Sequence, residues 1–165
     1  ALAKLPPVFK EGGSVHAGNS SGITDGAAAL LLGSEAQASR LGVEPMAEIG
    51  PSARAGVEPR RMGIGPVPAI RRLLENTGRT LDSYELIELN EAFAAQVLAC
   101  QQELHFNRER LNVNGGAIAL GHPIGATGAR IVVTLIHEMQ RRKASLGLAT
   151  LCISGGLGLA LEVTR

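Results

Sequence analysis

The run Asn112-Val113-Asn114-Gly115-Gly116-Ala117-Ile118-Ala119-Leu120-Gly121-His122-Pro123-Ile124-Gly125-Ala126-Thr127-Gly128 constrains this chain most. It holds five glycines and one imidazole, and it leads directly into an apolar helical pattern. Glycine at this density costs ordering entropy. A chain carries that cost where φ must be positive or where backbone must come close to something. A tight connection with an incidental histidine is the plain structural alternative. Loops this rich in glycine otherwise approach a ligand or another backbone.

Two more segments share the pattern of a polar group where an element gives way to a loop. Asn90-Glu91-Ala92-Phe93-Ala94-Ala95-Gln96 follows a short strand-like run, Tyr84 to Asn90. Cys152-Ile153-Ser154-Gly155-Gly156-Leu157-Gly158 joins two apolar runs near the carboxyl end. Residues 1–23 read as loop, rich in Pro, Gly and Ser. Thr24 or Asp25 is expected to cap a helix that runs to about Arg40 and stops at Gly42. Its unbroken apolar run, Ala27 to Leu32, demands burial on more than one side. Met46 to Val57 contains a strand interrupted by Pro51. A helix starting near Pro66 and Pro68 carries the stripe Ile70, Leu73 and Leu74 and ends at Gly78. Residues 91–104 form another helix. Gly125 to about Arg142 forms one more, with Ile131, Val132, Leu135, Ile136 and Met139 at helical spacing. Leu148 to Ile153 and the period-two run from Leu157 to Val163 make a closing hairpin. Strands alternating with helices predict an α/β fold, a mixed β-sheet with helices on both faces.

Taken in order, these motifs resemble the carboxyl-terminal half of a thiolase. The likeness begins at Gly18-Asn19-Ser20-Ser21-Gly22-Ile23-Thr24-Asp25-Gly26-Ala27-Ala28, which is similar to the family's pantetheine-side loop. It covers almost the whole chain. The resemblance implies three parts. Residues 1–23 end the coenzyme-binding loop region, 24–44 form a helix belonging to an amino-terminal domain, and 45–165 form the carboxyl-terminal domain. His16 departs from the pattern, standing where a hydroxyl residue is commoner. Ser154 stands where glycine is commoner, and would be strained if φ there had to be positive.

The family condenses or cleaves acyl groups carried on coenzyme A, as in fatty acid metabolism. That chemistry needs a base for a weakly acidic carbon and donors for an enolate oxygen. Cys152, ending an apolar strand, is either a buried inert thiol or a proton carrier; the resemblance assigns it the acid/base role. His122 is either a structural loop histidine or, by resemblance, both activator of a nucleophilic cysteine and donor to an oxyanion hole. A helix start just beyond it should keep it neutral. Asn90 is a helix cap, the holder of an oxyanion-binding water, or both. Glu91 reads as a group that orients its neighbours or favours the helix start rather than one that titrates in catalysis. By resemblance, Ser154 and Gly155 supply a second oxyanion hole, and Ser21, Phe9, Met62 and Phe93 line the pantetheine and acyl path. Met62 and Phe93 read equally well as core. Cys100, His16, His105 and His137 read as structural.

The net charge of +1 argues against a nucleic-acid surface. No apolar stretch reaches a membrane span of roughly 18 residues, and no signal-peptide pattern opens the sequence. Two separated cysteines argue against a disulfide framework or zinc site. A cytoplasmic setting, no metal and no cofactor beyond coenzyme A as substrate are the expectations. The expected partners are acyl-CoA, an amino-terminal thiolase domain or chain, and further copies in a homo-oligomer. The chain opens on Ala1, and no segment resembles the family's nucleophile motif, so half an active site is expected. Two rivals remain: a ketoacyl-carrier-protein synthase relative, and a non-catalytic module that keeps the fold. A phosphate-binding loop is weak, because no P-loop lysine follows the glycines.

Overall fold

The computed structural model describes residues 2–165. Four strands build one mixed sheet in the order β1-β4-β3-β2: β1 Glu48–Gly56, β2 Leu86–Leu89, β3 Leu146–Ile153 and β4 Leu157–Thr164. β4 runs antiparallel to both β1 and β3, and β2 pairs parallel to β3. The β1–β4 register shifts between Ile49 and Ser52, around Pro51, which has no N–H to give to a ladder.

Helices cover both faces. Helix α2, Pro66–Thr77, opens on its proline and closes at Gly78, whose φ is 67°. Its Val67, Ile70 and Leu73 pack with Ile87, Leu89, Leu148 and Ala160 of the sheet. Helix α3, Ala94–Leu104, adds Cys100 to this cluster. Helix α5, Thr127–Arg142, lays Ile131, Val132, Leu135, Ile136 and Met139 on the other face, against Leu86, Ala149 and Val163. The expected fold class is therefore the observed one. In β4 the expected alternation is present, but the better-buried face is the one bearing Gly158, Ala160 and Glu162. Glu162 is satisfied there by Tyr84 Oη, which donates at 2.8 Å, and by the Arg79 guanidinium at 3.1 Å.

Two helix boundaries differ from expectation. Residues 24–34 are not helical, and helix α1 spans only Glu35–Leu41. The strand-like pairing of Ile23 with His122, and the His122 N–H donated to the Gly22 carbonyl at 2.8 Å, commit the chain to an extended entry. Ser34 then caps the helix instead of Thr24 or Asp25, its hydroxyl accepting from the Gln37 N–H at 3.3 Å. The expected stop at Gly42 stands, with φ 63°. The apolar run is left largely uncovered: Leu31 is 100% exposed and Leu32 70%. Helix α3 begins three residues later than expected, because Phe93 is extended and bridges Ser20. Among the described residues no helix is long and apolar enough to cross a membrane.

β2 is an edge strand whose four residues are all buried. Glu88 shares the α5-facing side of the strand with Leu86. Burial pushes its carboxyl up to about 7; Arg130 opposes the shift, and Glu91 and Glu138 add to it. A carboxyl whose pKa is higher folded than unfolded stabilises the fold at low pH. That contribution is whole below the unfolded value of 4.5 and lost as pH rises through about 7. Glu88→Gln should therefore flatten the decline in stability between pH 5 and 8. At pH 8 it should gain up to about 3 kcal/mol over the parent. Urea midpoints across that range measure it, and an unchanged slope in the Gln variant would refute the assignment.

Candidate active site

The parallel β2–β3 pair brings two of the three polar groups to one end of the sheet. Leu89 stands opposite Thr150, and the Asn90 N–H extends the ladder by donating to the Thr150 carbonyl at 3.0 Å. Asn90 thus leaves the carboxyl end of β2 level with Leu151, one position before Cys152, the penultimate residue of β3. Carboxyl ends of parallel strands are where open α/β sheets hold ligands. Both side chains are sequestered, Asn90 being 1% exposed and Cys152 8%.

His122 arrives from the glycine-rich loop. The single-turn helix α4, Ala117–Leu120, ends at Gly121, which has φ 94°. A β-carbon there would lie 2.4 Å from the Thr24 hydroxyl, so only glycine allows the turn that delivers His122. The imidazole Nε2 lies 3.4 Å from Asn90 Nδ2, and Nδ1 lies 2.7 Å from Thr127 Oγ1. The Thr127 hydroxyl donates to the Pro123 carbonyl at 3.0 Å. Its one proton is thereby used, so Nδ1 carries a hydrogen and donates to Thr127. Nε2 is left as an acceptor facing the Asn90 amide. Burial lowers the His122 pKa, and the Arg130 charge lowers it further. Neutrality was expected from a helix start; desolvation and a neighbouring cation supply it instead.

Cys152 is a thiol at rest, since burial raises its pKa. Asn90 Oδ1 is buried without a protein partner. A buried amide oxygen of this kind has room in its bonding for one donor from water or ligand.

The flanking segment closes over this end of the sheet. Ser21 donates both its N–H, at 3.0 Å, and its hydroxyl, at 3.1 Å, to the Ala92 carbonyl. The Phe9 ring meets Phe93 edge to face at 5.6 Å, although Phe9 is 71% exposed. Ser154 and Gly155 form the exposed β3–β4 turn. Positive φ falls on Gly155 and Gly156, not on Ser154, so the serine carries no backbone strain. Met62 is half-buried in a 3₁₀ turn. Cys100 is core: burial raises its thiol to about 11, and its Sγ donates to the Gly63 carbonyl at 3.4 Å. His16 caps the turn Ala17–Asn19, its Nδ1 accepting from the Gly18 N–H at 3.2 Å. Sequence reasoning missed Thr127. Its only signal was position, five residues past His122 and at the first turn of a helix.

Comparison with known proteins agrees along the whole chain. The family model described as "Thiolase, C-terminal domain" matches residues 43–165, and that described as "Thiolase, N-terminal domain" matches residues 1–36. The chain is 60% identical over 165 residues to an acetyl-CoA acetyltransferase of Pseudomonas aeruginosa, covering 100% of this chain and 42% of the relative. It is 59% identical over 164 residues to one of Chromobacterium violaceum, covering 99% and 42%. The crystal structure of the Bacillus anthracis acetyl-CoA acetyltransferase superposes with a TM-score of 0.97 at 53% identity, covering 99% of this chain and 41% of that one. Human mitochondrial 3-ketoacyl-CoA thiolase in complex with CoA gives 0.90 at 41% identity, with the same coverage. The chain thus spans about two fifths of the length of these relatives.

The tautomer of His122 is open to direct measurement. Nitrogen-15 spectra at pH 8 should show the Nδ1-protonated neutral ring, titrating below the ordinary histidine range. Thr127→Val should lose that single tautomer. Identical ring-nitrogen shifts in parent and variant would show that Thr127 does not select it.

Proposed function

The chain belongs to the thiolase family, and from that premise we propose that it supplies the acid/base and oxyanion half of an acyl-transfer site. The reaction is coenzyme A-dependent cleavage of a 3-ketoacyl-CoA, or the reverse condensation with acetyl-CoA. The observation that carries the reading is the Asn90–His122 contact at the carboxyl end of β2, with His122 Nε2 held as an acceptor and Cys152 ending the neighbouring strand. His122, Cys152 and Asn90 are the catalytic groups.

Each group suits one step. Nε2 takes the proton of a nucleophilic thiol contributed by the amino-terminal part of the enzyme. That sulfur attacks the 3-keto carbon. Protonated, Nε2 becomes a donor and stabilises the oxyanion together with a water held by Asn90. The bond between C2 and C3 then breaks. The Cys152 thiol, kept protonated by burial, gives its proton to C2 of the departing enolate. The resulting Cys152 thiolate takes a proton from incoming coenzyme A. The coenzyme sulfur attacks the acyl-enzyme, and His122 returns its proton to the released nucleophile. Ser154 and Gly155 suit a second oxyanion site, their turn lying directly after Cys152. Ser21, Phe9, Met62 and Phe93 would line the pantetheine and acyl path. Coenzyme A enters as substrate, and no further cofactor is invoked.

The partner surface follows from what the fold leaves bare. Ile23, Leu31, Leu32, Leu120 and Ile124 are all more than half exposed. Burying each such side chain is worth roughly 1.5–3 kcal/mol. An amino-terminal thiolase domain is the proposed cover, and a homo-oligomer the proposed assembly.

Joined to that amino-terminal part, Cys152→Ala should still form acyl-enzyme from radiolabelled acyl-CoA. Its turnover should fall about 10²–10⁴-fold, the usual worth of one proton-transfer group. Loss of acylation itself would assign Cys152 a different task. The 165 residues alone should show no turnover with acetoacetyl-CoA and coenzyme A.

A further inference from the structure

We infer that Glu91, together with Asn112 and Gly116, is a positioning clamp that sets the distance between Asn90 and His122. The inference rests on the acyl-transfer reading above for its activity readout, but its geometry stands without it.

Three observations combine. First, Asn112 closes the free outer edge of β2 with its side chain. Its Oδ1 accepts from the Leu89 N–H at 2.9 Å, and its Nδ2 donates to the Leu89 carbonyl at 2.8 Å. It holds this pose at φ 45°, a left-handed conformation that Asn tolerates better than most residues. Second, the Glu91 carboxylate spans from that amide to the His122 loop. Its Oε1 accepts from Asn112 Nδ2 at 3.0 Å and its Oε2 from the Ile118 N–H at 3.2 Å. Ile118 lies in α4, a four-residue helix too short to hold itself together. The two residues after α4 are Gly121 and His122. The residue before Glu91 is Asn90. One carboxylate therefore ties the segment that carries the imidazole to the backbone that carries the amide.

Third, Gly116 lies directly against the Glu91 carboxylate. Its φ of −128° and ψ of −169° suit any residue. A β-carbon there would nevertheless lie 2.1 Å from Glu91 Cδ, with both carboxylate oxygens within 2.4 Å. The glycine is thus explained by the seat it leaves for Glu91, not by its own backbone. Glu91 and Asn112 act through Asn90 and His122 and are positioning residues. The Asn90–His122 contact of 3.4 Å is long enough that a small displacement breaks it.

A double-mutant cycle on the complete enzyme tests this, using Gly116→Ala, Glu91→Ala and both together. Displacing reacting groups by about 1 Å costs roughly 10²-fold in rate, so each single variant should lose about that much kcat, with KM for acyl-CoA little changed. The added methyl should cost nothing more once the carboxylate is gone, so the double variant should match the singles. Glu91→Gln, which keeps an acceptor and the side-chain length, should recover most of the loss. Nitrogen-15 titration of His122 in Gly116→Ala should show the ring pKa rising toward its ordinary value as the loop loosens. Multiplied losses in the double variant, a loss confined to KM, a Gln variant as poor as Ala, or an unmoved His122 titration would each overturn the clamp. Full turnover in Cys152→Ala would instead sink the acyl-transfer reading, leaving the titration to judge the clamp alone.

Discussion

Parallel pairing of β2 with β3 decides where two of the three polar groups of the candidate site can go. With Leu89 opposite Thr150, Asn90 and Cys152 leave the sheet at the same end, on adjacent strands. A slip of one residue would turn Asn90 to the other face and carry Leu89 and Ile87 out of the core they share with α2. Hydrophobic burial therefore enforces the register of the candidate site. The amide and the thiol sit in place because the leucines and isoleucines of the same strands have only one way to be covered.

The third group needs a different solution, because its loop has no sheet to hold it. His122 is fixed by bonds at four sides: its N–H to the Gly22 carbonyl, Nδ1 to Thr127, Nε2 toward Asn90, and the preceding single turn to Glu91. The anchors come from three parts of the chain, at Gly22, at Asn90 and Glu91, and at Thr127. Two of the five glycines follow from this. Gly121 passes so close to Thr24, and Gly116 so close to the Glu91 carboxylate, that neither position has space for a side chain, while Gly115 takes a positive φ of 86°.

Much of this was legible in the sequence, and the failures have physical causes. The strands, α2 and α5 announced themselves through periodicity and through glycines at their ends, which are local properties. Asn90, His122 and Cys152 stood out as candidates because amide, imidazole and thiol each stand where an element gives way to a loop. The 24–40 helix was misread because an apolar run next to a capping residue is a local signal, whereas the bond that holds Gly22 extended comes from a residue one hundred positions later. Thr127 and the role of Gly116 were invisible for the same reason. A hydroxyl that chooses a tautomer, and a glycine kept small for another residue's carboxylate, acquire meaning only once the chain has folded back on itself. The concern over Ser154 dissolved because the turn puts its positive φ one residue later.

The depth of Cys152 has a consequence outside turnover. Peroxide and other oxidants attack thiolates, and they attack exposed ones first. A cysteine 8% exposed, whose surroundings favour the protonated sulfur, is a poor target while the site is idle. In the proposed cycle it would become vulnerable only in the interval when it has given up its proton, and in that interval substrate would fill the path by which an oxidant could reach it. The burial that keeps this thiol protonated also shields it from sulfenic acid formation.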